Sequence, residues 1–176
     1  MRRLPCFGSG IVFAILALSA GSAAAQQLPR LQEENLTGQQ VVLPDAAAGK
    51  FAVLVFGFTR GSQAATGSWA KRIESDYGKT PGFIRFQLPV LEEAPRLIRG
   101  MIISGMKKGV AENIRANFVP VLHNEAELKK LVGYKEADDA YLVVLDRGGK
   151  VAYQTHGPTA EPGYAELRAK VGGLLK

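Results

Sequence analysis

The run FAVLVFGF, residues 51 to 58, places the strongest constraint on this chain. It is apolar at odd and even positions alike, so as a strand it offers no side to water. Such a strand belongs inside a sheet that is covered on both faces, which calls for a layered α/β architecture.

The stretches around it supply the layers. SWAKRIESDYG, residues 68 to 78, sets Trp69, Ile73 and Tyr77 on one helical face, and Gly78 closes the helix. GFIRFQLPV, 82 to 90, alternates and reads as a second core strand. Residues 94 to 118 form the longest helical stretch. VPVLH, 119 to 123, reads as a short strand, and Asn124 is placed to cap the helix that follows. DAYLVVLDRGGKVAYQTHG reads as a strand, a turn at Asp146 to Gly149 and a returning strand over Lys150 to Gln154, before a C-terminal helix. Residues 26 to 50 are mostly polar, carry Pro29, and read as a lead-in with one short strand at Gln40 to Leu43. The domain proper is expected over 51 to 176, with a helical insertion at about 94 to 118. Val53, Val55, Phe56, Phe86, Leu142 and Val144 are the expected core of the sheet.

The N-terminus bounds the chemistry. Arg2 and Arg3 precede a short apolar run, Ile11 to Ala20, and the small residues Ala23 to Ala25. That pattern predicts a secretory signal peptide over residues 1 to 25, cleaved between Ala25 and Gln26, and a periplasmic or secreted protein. The one cysteine, Cys6, lies before the apolar run, whereas a lipid-attachment cysteine would follow it. Cleavage leaves 151 of the 176 residues and no thiol, which excludes disulfides, thiol redox chemistry and thiolate metal sites. The chain has 22 Lys and Arg against 16 Asp and Glu, net +6, or +4 without Arg2 and Arg3. A mild, diffuse positive charge argues against nucleic acid and leaves anionic lipid or an acidic partner open.

With LVFGFTRGSQA as a first strand and loop, and DAYLVVLDRGGKVAYQTHG as a closing hairpin, the chain resembles the thioredoxin and peroxiredoxin superfamily over nearly all of its length after the leader. The resemblance implies a mixed central sheet flanked by helices, with the active-site loop at residues 59 to 65. Gly61 and Ala64 stand where a thioredoxin has its thiols, and Ser62 stands at the peroxidatic position of a peroxiredoxin. A serine hydroxyl has too little anion at neutral pH to replace a thiolate. The proline that the family places before its penultimate strand is missing from KEADDAYLVV. A narrower likeness is to the thioredoxin-like assembly factors of the mitochondrial ATP synthase. These also lack the paired cysteines and place a Gly and then a Trp after the first strand, as Gly61 and Trp69 do here.

The loop Thr59 to Ser62 has two readings: a capped helix start, or an anion site with Arg60 beside the positive end of the helix. Trp69 is expected as a core anchor. His123 and His156, even with Asp138 and Asp139, lack metal-ligand spacing, so no metal and no cofactor is expected. The adjacent acids Glu92 and Glu93, like Asp138 and Asp139, are expected as solvated charge.

RLIRGMIISGMKKGVAENIR stands apart. Leu97, Ile98, Met101, Ile102, Met106 and Val110 form an apolar stripe, with Arg96, Arg99, Lys107 and Lys108 mostly off it. Gly100, Gly105 and Gly109 each cost about 1 kcal/mol in a helix interior. One reading is a surface helix packed on the core with a wet basic face; the other is a contact surface for a protein segment or an anionic membrane. On the second reading Met101, Ile102, Ile103 and Met106 are exposed. The candidate partner-binding residues are thus Arg60, Gly61, Ser62, Arg96, Arg99, Met101, Ile102, Met106, Lys107 and Lys108. Two functions follow: a redox-inactive binding or assembly factor for an envelope protein, or a small-molecule or anion binder, or non-thiol enzyme, using the Thr59 to Ser62 loop.

Overall fold

The computed structural model describes residues 26 to 175; the signal peptide expected over residues 1 to 25, Ala25 included, lies outside them. A four-stranded sheet has the order β4-β3-β5-β6: β3 is Phe51–Gly57, β4 Phe83–Pro89, β5 Ala140–Leu145 and β6 Val151–Gly157. β3 pairs parallel with β4 and antiparallel with β5, and β5 pairs antiparallel with β6. Every residue of β3 is buried, as its two-sided apolar pattern requires.

The pleat sends alternate side chains to two cores. Val53, Val55, Leu142 and Val144 face α1 (Gln63–Tyr77) and α4 (Gly163–Leu174), meeting Trp69, Ile73, Tyr164 and Leu167. Leu54, Phe56, Phe86, Leu88 and Tyr141 face the other side, against Leu128 and Leu131 of α3 (Glu125–Leu131). The expected core residues are all buried. Trp69 is the anchor expected of it, and its Nε1–H donates to the Gly157 carbonyl at 2.8 Å.

Several details differ from the sequence reading. Residues 26 to 50 hold a second strand, β1 (Leu31–Glu34), paired antiparallel with β2 (Gln40–Leu43). This hairpin buries Leu31 and Leu43, and its carboxylate Glu33 accepts from Leu122 N–H (2.9 Å) and His123 N–H (3.1 Å). The 119 to 123 stretch does not form a full strand. It runs beside β4 through bridges at Phe118 and Val121, with the Val119 and Val121 N–H groups donating to the Gln87 and Pro89 carbonyls at 2.9 and 2.8 Å. The returning strand reaches Gly157 rather than stopping at Gln154, so His156 is a strand residue.

Asn124, finally, does not cap α3 with its side chain. It adopts a left-handed conformation, φ 65°, and the Glu125 N–H at the helix start donates instead to the Glu92 carboxylate at 2.6 Å. The insertion divides into α2 (Arg96–Gly109) and a 3-10 segment, Glu112–Asn117; α1 is the longer helix.

Candidate binding cleft

A cleft of about 790 Å³ opens where the C-terminal ends of β3 and β4 meet the start of α1. Its volume is that of an ordinary ligand site. Phe58, Val90, Leu91 and Phe118 give it apolar walls, Ser62, Gln63, Thr66 and Gln87 line its polar side, and Ile102, Gly105, Met106 and Gly109 of α2 form its roof. No residue of α2 is buried, so the roof stands off the domain. A methyl group added at Gly105 or Gly109 would meet nothing within 4 Å, so no part of the chain fills the space beside these glycines.

The Thr59 to Ser62 loop forms the cleft's inner rim. The Ser62 hydroxyl donates to the Thr59 carbonyl at 2.8 Å, and the residue is only 1% exposed. It is therefore not the exposed hydroxyl that a nucleophile would need, because its proton is spent on the backbone beneath it. The helix start gains little from side-chain capping: Thr59 Oγ1 accepts from Ser62 N–H at 3.2 Å, and Ser62 itself caps nothing. Thr59 Oγ1 also lies 2.7 Å from Asp138 Oδ1, to which it donates. That carboxylate rests on Gly61, where an added Cβ would come within 2.1 Å of Oδ1. Arg60 is exposed at the rim and makes no ion pair among the described residues.

Both acidic pairs do more than meet solvent. Asp138 secures the rim, and Asp139 sits 2.8 Å from His156 Nδ1, whose ring stacks on Tyr141. His123 similarly lies 3.1 Å from Glu33. Beneath the base of α2, Glu92 caps α3 and the buried Glu125 accepts from Glu93 N–H at 3.1 Å. Lys129 bridges the two acids, 2.7 Å from Glu93 as a hydrogen bond and 2.8 Å from Glu125 Oε1 as a charge contact. Burial opposes the Lys129 charge, but the bonds and charges of Glu125 and Glu93 outweigh it and hold the amine above its ordinary range. The same hydrogen bond from Lys129 holds the Glu93 carboxyl below the usual carboxylate range. Among the described residues no cluster of three or more metal-ligating side chains occurs.

The structure brings Arg60, Ser62, Ile102 and Met106 to one cleft, leaves Gly61 against Asp138 outside its lining, and separates the rest. Arg96, Lys107 and Lys108 are exposed around α2, and Met101 points outward. Arg99 is not a free cation: its guanidinium donates to the carbonyls of Ala94 (2.9 Å) and Glu92, latching the first turn of α2 to the preceding loop. The apolar side chains exposed on α2 are Leu97, Ile98 and Met101, whereas Ile102, Ile103 and Met106 are half-buried. Gln87, Glu93 and Phe118 went unread as cleft residues. For Gln87 the signal was present, since it has the opposite parity to the core residues Phe86 and Leu88.

The strand order and flanking helices define a thioredoxin-like fold. No protein-family model matches the chain, and no curated protein matches it. Solved structures do. A thiol:disulfide interchange protein DsbE from Chlorobium tepidum is 21% identical, covering 86% of this chain and 97% of its own, with a TM-score of 0.59. The exposed lipoprotein thioredoxin Etrx1 of Streptococcus pneumoniae is 14% identical over 82% and 99%, TM-score 0.55. BsSco, of the Sco family of cytochrome c oxidase assembly proteins, is 13% identical over 86% and 95%, TM-score 0.57. The chain shares their fold and, from residue 26 on, contains no cysteine with which to form a thiol pair.

Proposed function

We propose that this chain is a redox-inactive, extracytoplasmic thioredoxin-like protein that holds an apolar segment of an envelope protein in the cleft under α2, in an assembly role. One observation carries the reading: the corner where the fold keeps its thiols holds Gly61 beneath the Asp138 carboxylate, beside an open, largely apolar cleft. The Gly and Met roof supports it, since methionine adapts to varied apolar partners and glycine lets a backbone come close. The fold also serves an assembly family in BsSco.

Site-specific photocrosslinking tests it. A photoreactive residue replacing Met106, which lines the cleft, should give a discrete adduct with one envelope protein in living cells. The same residue replacing Ala165, exposed on α4, should not. Equal adducts from both positions, or none from Met106, would overturn the reading.

A further inference from the structure

Beyond the cleft, we propose that the outer face of α2 seats on an anionic phospholipid surface. The large apolar side chains exposed among the described residues are Leu97 (98%), Ile98 (38%) and Met101 (69%), all on the first turns of this helix. Leu97, Met101, Ser104 and Lys108 follow one another at i, i+4, i+7 and i+11, and all four are exposed. They form one outward line that begins apolar and ends in a cation. The line runs beside the cleft-facing residues Ile102 and Met106 and shares none of them.

Charge selects the occupant. RLIRGMIISGMKKG contains Arg96, Arg99, Lys107 and Lys108 and no acid. With Arg99 tied to backbone carbonyls, Arg96, Lys107 and Lys108 are exposed to meet a negative surface. A second copy docking on this face would set the same cations against one another, which disfavours a symmetric dimer. An acid-free amphipathic helix with apolar residues along one line suits the boundary between headgroups and acyl chains, where long lysines reach back to the phosphates. No helix among the described residues is long and apolar enough to cross a membrane, so the contact is one of lying on the surface.

The test is vesicle flotation of the exported, processed protein. It should float with phosphatidylglycerol-containing vesicles at low ionic strength, stay behind with pure phosphatidylcholine, and come off as salt screens the attraction. Replacing Leu97 and Met101 together by serine keeps every charge, and should abolish flotation while leaving the melting temperature unchanged. Failure of the unmodified protein to float would overturn the proposal. Undiminished flotation of the double variant would also do so, since the attraction would then lie elsewhere. A marked fall in the variant's melting temperature would show that the two side chains are packed, and would remove the exposed face itself. The Met106 crosslink reads the cleft separately, so either proposal can fail alone.

Discussion

At position 61 a single missing side chain changes what the corner can do. Asp138 fills the space that a Cβ would take and donates nothing; it accepts from Thr59 and so fixes the rim. A side chain at 61 must push this carboxylate aside and break that bond. Gly61→Ala should therefore destabilise the protein by about 1 kcal/mol, the usual worth of one hydrogen bond. In the background of Asp138→Ala the same substitution should cost much less, because the clash is gone. Denaturant melts of the four proteins in the cycle measure this, and a cost that persists without Asp138 would place the constraint in the backbone. A cysteine introduced at 61 would face the same carboxylate, whose charge disfavours a thiolate. The surroundings of position 61, as well as the absence of a thiol there, thus oppose thiolate chemistry at this corner.

At the scale of elements, strands and α1 follow their own periodicity, which is why β3, β4, β5 and Trp69 were legible in the sequence. Periodicity fails where a distant residue decides the outcome. Asn124 has the composition of a cap, yet Glu92, more than thirty residues earlier, does the capping. The apolar arc of α2 was equally legible, but not its division into a cleft side and an outer side, because both sides carry the same residue types. Its glycines make the point testable. Neither Gly100 nor Gly105 has a neighbour that a methyl group would strike. Alanine at either should stabilise the helix by up to about 1 kcal/mol, a rise of about 2–4 °C in Tm for a chain of this size. Only Gly105→Ala, which puts its methyl into the cleft, should also lower the Met106 crosslink yield. A loss of stability at either site would mean that α2 packs more tightly than its open roof implies.

Across the whole molecule, the feature hardest to read was the N-terminal hairpin, because a polar composition hid the few residues that anchor it. Leu28, Leu31 and Leu43 are buried in the core facing α3, while the exposed residues between them give the stretch its lead-in character. Its contacts are also distant in sequence: Glu33 holds Leu122 and His123, and at the hairpin tip the Leu36 N–H donates to the Phe118 carbonyl at 3.0 Å. Phe118 lines the cleft, so the hairpin braces the wall opposite α1. Three buried leucines are worth about 5–9 kcal/mol at ordinary burial energies, against a total stability of about 5–15 kcal/mol for a typical domain. A chain beginning at Lys50 should therefore lose its cooperative thermal transition, although it keeps all four strands of the main sheet. Glu33→Ala in the longer chain isolates the polar part of the clasp. It leaves the Leu122 N–H without its acceptor, and should cost about 1–3 kcal/mol. Calorimetry of both proteins decides the matter: a sharp transition near the parent Tm in the shortened chain would show that the sheet and its helices stand without the hairpin.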